Sequence, residues 1–165
     1  RTYVGDAQPD LTFGWQNNFT WKNWDFSFFF RGTIGNKVLN NPRAAYANNT
    51  YLIGTNALDD ELTYTMKESS RVCSYYLENG SFIRLDNLAL GYTFDTKKIN
   101  WLDKARLYFA AQNLFVITGY KGLDPEVELF RGESSDTDAG LSPGIEPRQF
   151  FPKARTFTLG VNLTF

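Results

Sequence analysis

The sequence contains no histidine and only one cysteine, Cys73, among its 165 residues. Without histidine, the chain lacks the commonest general base and the commonest transition-metal ligand. With one cysteine, neither an intrachain disulfide nor a thiolate zinc cluster can form, and we expect Cys73 to be a free surface thiol. The chain therefore lacks residue types that most enzyme mechanisms need. We therefore predict that the chain is not an enzyme.

The sequence also lacks a long apolar run, a cluster of basic residues and a secretion signal. No stretch of about 18 or more apolar residues is present, which excludes a membrane-spanning helix. The net charge is −1 and the basic residues are not grouped, so no nucleic-acid partner is expected. The chain begins with Arg1 and shows no signal-peptide pattern, which predicts a mature chain or a fragment.

Aromatic residues are abundant, at 17% of the sequence, and they stand in alternating patterns. In the closing residues 156–165, every odd position is large and apolar and every even position is small or polar. Because side chains on a strand alternate between its two faces, this pattern indicates a strand with one apolar face. Its length matches the roughly 9–11 residues of a tilted strand that crosses a bilayer.

The one-sided pattern recurs four more times along the chain. We predict strands near residues 11–21, 24–34, 81–94, 106–118 and 156–165. Short connections, at 22–23 and 95–103, alternate with long segments at 35–80 and 119–153, the first with a short helix expected near 42–46. Long loops on one side and short turns on the other are typical of outer-membrane barrels.

The charge and aromatic patterns refine this hypothesis. Aromatic residues gather beside the short turns, where they would form a girdle at the membrane–water interface. The girdle residues are Trp21, Trp24, Tyr92, Phe94, Trp101 and Phe165. In the third strand, Arg84 and Asp86 share the parity of the apolar residues. That half of the strand therefore lies outside the membrane, or a bulge shifts its register.

Five strands leave two unpaired edges in lipid, and the smallest bacterial barrels have about eight strands. The chain is therefore predicted to be part of a larger barrel. Two alternatives remain open. One is a soluble carbohydrate-binding β-sandwich whose core is made of the aromatic faces, and the other is an outer-membrane adhesin or receptor that does no transport.

Four passages resemble the C-terminal end of the SusC/RagA family of TonB-dependent outer-membrane transporters. They are residues 3–10 leading into 17–27, residues 80–94 with the sequence GSFIRLDNLALGYTF, the QNLF and GLDPEV passages at 112–115 and 122–127, and residues 151–165. Together they reach from one end of the chain to the other. One departure is Glu146, which stands where the resemblance leads us to expect Asp in a Gly-Ile-Asp turn.

The resemblance implies an all-β fold, an antiparallel transmembrane β-barrel segment. The chain would supply the last five strands of a barrel of about 22 strands and two long extracellular loops, with the plug domain outside the chain. The whole protein would import oligosaccharides or oligopeptides across the bacterial outer membrane. Its partners would be lipid, the rest of the barrel and its plug, a SusD-like lipoprotein and the TonB complex. Phe165 would belong to the assembly signal that insertion machinery reads.

Several residues are candidates for contact with solute, plug or lid. Aromatic rings in the first long segment could stack on sugars or press against a lipoprotein, or simply pack the loop. Polar residues on the lumen parity could contact solute or plug, or pair with one another. The candidates are Tyr46, Tyr51, Tyr75, Tyr76, Arg31, Arg106 and Gln112.

No cofactor is expected, with weak candidates for calcium. The acidic side chains of Asp124, Glu126, Asp136 and Asp138 carry the oxygen ligands that hard cations prefer. Their spacing does not match an EF-hand, and the Asp-Pro start of the passage is typical of a turn.

Overall fold

The computed structural model describes residues 4–47, 54, 56, 58–60, 65, 73–96, 101–127, 143–148 and 151–165. The predicted all-β, antiparallel architecture is confirmed, and the five long strands lie close to the predicted ranges. The elements are β1 (Leu11–Trp21), β2 (Trp24–Ile34), β3 (Lys37–Leu39), α1 (Asn41–Tyr46), β4 (Leu77–Asn79), β5 (Phe82–Phe94), β6 (Lys104–Thr118) and β7 (Thr156–Thr164), with a 3-10 turn at Ser74–Tyr76. No helix among the described residues is both long and apolar enough to cross a membrane.

The chain divides into two compact units. The sheet unit comprises Thr12–Gly32, Phe82–Ile117 and Lys153–Phe165. The loop unit comprises Arg1–Leu11, Thr33–Ser81 and Thr118–Pro152.

The sheet unit is built on one sheet with the strand order β1-β2-β5-β6-β7. The turn between β1 and β2 has two residues, and Lys22 adopts a φ of 55°, in the left-handed region that tight hairpin turns use. Strands β6 and β7 pair from Lys104 opposite Thr164 to Gln112 opposite Thr156. Among the described strands, β1 and β7 are the two edges, so the sheet does not close on itself.

One side of this sheet, the apolar face, is covered with aromatic rings. The Trp15 ring lies 5.1 Å from that of Phe28 and 6.1 Å from that of Phe30, and Phe30 in turn lies 6.2 Å from Phe115. These contacts run between strands, because alternation places every second side chain on the same side. Trp15 is 57% exposed and Leu159 on β7 is 73% exposed. The apolar face is thus uncovered over much of its width.

Strand β5 interrupts the alternation. Asp86 pairs with Arg31, and Gly91 lies beside the pair formed by Asp25 and Arg106. Arg31 and Asp25 are six residues apart on β2 and share a face, whereas Asp86 and Gly91 are an odd number of positions apart. Both can lie on that face only if the strand contains an irregularity between them, as a bulge produces. Of the two possibilities predicted for this strand, the structure thus supports a bulge that shifts its register.

The loop unit contains structure that the sequence pattern did not reveal. Strand β3 pairs with β4 in antiparallel fashion, with Val38 opposite Glu78. Leu39 also forms a parallel bridge to Ile145, in which Leu39 N–H donates to Gly144 O at 2.7 Å. The segments 35–80 and 119–153, predicted as long loops, thus contain short paired strands and are joined to each other by this bridge. Strands of three residues are too short to leave a visible period.

Helix α1 lies where the short helix was expected. The Asn40 side chain accepts a hydrogen bond from Arg43 N at 2.9 Å and so caps the helix, and Pro42 occupies its first turn. Ala44 and Ala45 on this helix are buried, as are Val38 and Tyr76 elsewhere in the loop unit.

Candidate functional site

The side of the sheet opposite the aromatic rings, the polar face, carries ion pairs between strands. Arg106 Nε donates to Asp25 Oδ1 at 2.9 Å, and Arg106 Nη2 donates to the second carboxylate oxygen. Since β5 lies between β2 and β6, this pair crosses a whole strand. It passes over Gly91, where an added Cβ would overlap both partners. Gly91 therefore makes room for the contact.

A second ion pair joins Arg31 to Asp86, with Nε and Oδ2 2.9 Å apart and both side chains partly exposed. The predicted lumen residues Arg31 and Arg106 thus lie on one face, and each is bound to a carboxylate. Gln112 is exposed and lies opposite Thr156 at the end of the β6–β7 ladder. Contact of these three residues with solute or plug stays a prediction.

Arg84 and Asn113 form a polar contact that the sequence analysis did not identify. Arg84 is 1% exposed, and its Nη1 donates to Asn113 Oδ1. The Asn113 amide nitrogen donates to Lys153 O at 2.6 Å and to Ala154 O at 3.3 Å. Asn113 has a φ of 52°, a conformation that Asn adopts more readily than most residues. Asn113 belongs to the QNLF passage, and this was the feature of the sequence that could have indicated the contact.

The predicted girdle residues form two contact groups in the sheet unit. Tyr92 lies 4.7 Å from Trp24 and 4.9 Å from Phe94, measured between ring centroids. Trp101 stacks on Phe165 at 5.8 Å, and both rings are largely exposed. Trp21 is exposed as well, and its ring lies 5.1 Å from Lys22 Nζ, within cation–π range. Their place at a membrane interface stays a prediction.

The tyrosines of the first long segment occupy different environments. Tyr75 is 57% exposed, and the Arg43 guanidinium lies 5.5 Å from its ring centroid. Tyr76 has no exposed surface, and its burial raises the pKa of its hydroxyl. It packs inside the loop unit, so its ring offers no surface to a solute or lid. Tyr46 is half-buried on α1, and Tyr51 lies outside the described residues.

Arg43 and Glu78 connect distant parts of the loop unit. Arg43 Nε lies 2.7 Å from Asp60 Oδ2, and Nη1 lies 3.1 Å from Glu78 Oε1. The hydrogen bond to Asp60 is the main cause of the raised pKa of Arg43. Glu78 also accepts hydrogen bonds from Asn40 Nδ2 at 3.3 Å and from Lys121 N at 2.8 Å. The sequence analysis did not identify this cluster.

Glu146 is fully buried. The sequence analysis noted only that it stands where the family resemblance leads us to expect Asp. Its Oε2 accepts the Tyr120 hydroxyl at 2.5 Å, and its Oε1 accepts Leu123 N–H at 3.0 Å. Burial raises the pKa of Glu146, and the two hydrogen bonds act in the opposite direction. Burial together with the Glu146 contact raises the pKa of Tyr120.

A cavity of about 190 Å³ lies between the Arg43 cluster and Glu146. Its walls combine carboxylates, two basic side chains and two leucines. The lining residues are Asn40, Pro42, Arg43, Leu58, Asp59, Asp60, Lys121, Gly122, Leu123 and Glu146.

The predicted calcium ligands are only partly described. Asp124 is buried, and its Oδ1 accepts a hydrogen bond from Glu126 N at 2.9 Å, as in a turn. Asp136 and Asp138 lie outside the described residues. Within the ranges that the structure covers, no group of three or more His, Cys, Asp or Glu side chains is placed to hold a metal ion. Calcium binding stays a prediction. Cys73 is a free, exposed thiol, as expected.

No model of a protein family matches the chain. TonB-dependent receptor P3 of Formosa agariphila is 34% identical over 179 residues, covering 100% of this chain and 17% of that receptor. TonB-dependent receptor SusC of Bacteroides thetaiotaomicron is 31% identical over 170 residues, covering 94% of this chain and 15% of that receptor. A solved structure of the RagAB peptide importer in its closed-closed state matches with a TM-score of 0.72 and 25% identity, covering 96% of this chain and 18% of that one. The chain thus spans about one sixth of the length of these proteins.

Proposed function

Because the chain is a SusC/RagA-like segment of a TonB-dependent receptor barrel, we propose that it forms part of an importer that carries nutrients across the bacterial outer membrane with energy supplied through TonB. The sheet unit would contribute five strands of the barrel wall, with its apolar face toward lipid and its polar face toward the lumen. The two long segments would lie on the extracellular side as a single folded unit.

The observation that carries the proposal is the contrast between the two faces of the sheet. Trp15 and Leu159 expose large apolar surfaces on one face, whereas Asp25 and Arg106 are paired on the other. A lipid-facing Lys or Arg near the bilayer midplane costs roughly 2–4 kcal/mol, so charges belong on the lumen face. A β-sandwich would instead cover its aromatic face with a second sheet.

We propose oligosaccharides or oligopeptides as the cargo and a SusD-like lipoprotein as the extracellular partner. The structural neighbours named as a peptide importer support a peptide cargo. The exposed ring of Tyr75, held by Arg43, supports stacking on a sugar ring or on an apolar surface of the lipoprotein. Tyr46, Arg31, Arg106 and Gln112 remain candidates for contact with solute or plug.

Uptake by cells tests the proposal. The gene for the full-length protein is deleted, and entry of labelled oligosaccharide and oligopeptide pools is followed, with a TonB-deficient strain as the matched control. We expect both strains to lose uptake of the same pool. Unchanged uptake in either strain contradicts the proposal, and binding of cargo without TonB-dependent entry favours the adhesin or receptor alternative.

A further inference from the structure

Carboxylates from two other parts of the chain hold the turn of the loop unit that begins at Tyr120. Glu146 binds the Tyr120 hydroxyl and Leu123 N–H, and Glu78 accepts Lys121 N–H. Both acids act on the same short stretch, from Tyr120 to Leu123. The backbone of this turn is thus fixed by side chains that lie far from it in sequence.

The space around Glu146 is closely fitted. The carboxylate is buried, and a Cβ at Gly122 would overlap both Glu146 Oε2 and the Tyr120 ring. Glu146 N–H also donates to Leu39 O at 3.0 Å, so its own backbone is anchored to β3. An anchored carboxylate that reaches two groups of one turn can determine where that turn lies.

The turn forms part of the cavity beside Arg43. Lys121, Gly122 and Leu123 line one side, and Pro42 and Arg43 at the start of α1 line another. We infer that Glu146 is a positioning residue, which acts through Tyr120 and Leu123 to fix this wall of the cavity. The inference concerns the loop unit alone and does not depend on the proposed transport.

Several charged groups surround Glu146. Glu78 and Asp124 are close enough to disfavour its ionised form, whereas the two hydrogen bonds favour it. Arg43 is bound to Glu78 and lines the same cavity as Glu146. A buried carboxyl group that must form two hydrogen bonds makes the turn sensitive to both its length and its charge.

Hydrogen exchange in the full-length protein tests the inference. E146Q removes the charge, E146D shortens the side chain by one methylene, and Y120F removes one of the two contacts. Loss of the two hydrogen bonds that Glu146 accepts should accelerate exchange of the 120–124 peptide roughly ten- to hundredfold in E146D. Y120F should keep most of the protection at Leu123. D103N, a carboxyl-to-amide change at an exposed position of the sheet unit, is the matched control.

A pH profile separates positioning from a general loss of stability. In the wild type, protection of the 120–124 peptide should vary with pH as Glu146 titrates, whereas in E146Q it should be flat. Faster exchange confined to the turn and its neighbours supports the inference. Equal exchange in E146D and the wild type overturns it, and so does an increase spread equally over β6 and β7.

Discussion

At the scale of single residues, glycines shape the polar face of the sheet. The Asp25–Arg106 pair lies across Gly91, and on the next strand pair the Tyr108 ring lies over Gly160. In both places an added Cβ would overlap the long side chain that crosses it. Long polar side chains can therefore lie along the sheet surface, because the neighbouring strand offers no side chain at that position.

The substitution Gly91→Ala should break the ion pair between Asp25 and Arg106. The new methyl group would displace the ends of both side chains, and because these are flexible and partly exposed we expect a loss of at most about 1 kcal/mol in the free energy of unfolding. Urea titration of the full-length protein in detergent, followed by gel mobility of unboiled samples, measures the change. Gly119→Ala is the matched control, because a Cβ there meets nothing within 4 Å. Equal midpoints for the two variants would show that the pair contributes nothing.

The raised pKa of Glu146 predicts a pH dependence with a definite sign. A carboxyl group whose pKa is higher in the folded state binds its proton more tightly there than in the unfolded chain. Its contribution is fully present below the ordinary carboxyl pKa of 4.5 and is lost as pH rises through the raised value. We therefore expect the loop unit to open more readily as pH rises from mildly acidic toward neutral. Exchange rates of the 143–148 peptide, corrected for intrinsic chemistry, measure this, and a slope of the opposite sign contradicts it.

At the scale of elements, Asn113 ends the pairing of β6 with β7. The last paired residues are Gln112 and Thr156, and beyond them the Asn113 amide binds the carbonyl groups of Lys153 and Ala154. Hydrogen bonds from a side chain thus replace the backbone ladder and fix the residues that lead into the edge strand β7. Because a shift by one residue turns every side chain of a strand to the opposite face, this contact helps to keep Phe157 on the apolar face.

Asn113→Gly should weaken the register of β7 without straining β6, because glycine keeps the left-handed conformation and loses only the amide. We expect a loss of about 1–3 kcal/mol from the missing hydrogen bonds. Disulfide formation in a Cys73→Ser background reports the register, with cysteines at Leu107 and Val161 for the native pairing and at Leu107 and Asn162 for a strand that has slipped by one residue. Native cross-linking at the wild-type level would rule out a role in register.

The alternation of residue types predicts the long strands because each buries or exposes a whole face over nine or more residues. It fails for β3 and β4, because three residues are too few for the alternation to stand out, and these strands exist through pairing with distant partners. The alternation also does not predict the polar contacts, for a related reason. Arg84 and Asn113 meet only when two strands pair, and Glu146 meets Tyr120 only when the loop unit folds. Parity did indicate an irregularity around Asp86, because charges cannot share a lipid face.

At the scale of the whole molecule, the two faces of the sheet indicate the environment that each of them contacts. Scattered exposed apolar side chains are ordinary on a soluble protein, but a continuous aromatic face such as that of Trp15, Phe28 and Phe30 indicates a covered surface. In an outer membrane the cover is lipid. Tryptophan fluorescence can report this cover directly, because Trp15 lies within the face and Trp21 beside a turn.

Lipids brominated at different depths should quench the four tryptophans unequally. We expect Trp15 to be quenched most strongly by bromine near the bilayer centre, and Trp21, Trp24 and Trp101 by bromine near the headgroups. Variants of the full-length protein in which each of these tryptophans is changed to Phe assign the signals. Trp15 quenched no more than a tryptophan in water would contradict the assignment of the apolar face to lipid.

Deletion of Phe165 should lower the yield of protein in the membrane and leave the uptake by each inserted molecule unchanged. The ring stacks on Trp101 and is otherwise exposed, so few contacts of the folded sheet are lost. Quantitative blotting of membrane fractions, combined with uptake per molecule, separates the two effects. Phe165→Tyr, which keeps an aromatic ring at this position, is the control. An unaffected yield would contradict the predicted assembly role.

The parallel bridge between Leu39 and Ile145 has a consequence for the order of folding. The two residues stand about a hundred positions apart in the chain, so this contact closes a long loop and belongs among the slow, non-local events of folding. During synthesis, β3 must wait for about a hundred further residues before its second neighbour exists. The loop unit is therefore completed late, and a ribosome stalled before Ile145 would release a chain in which Leu39 has only β4 beside it.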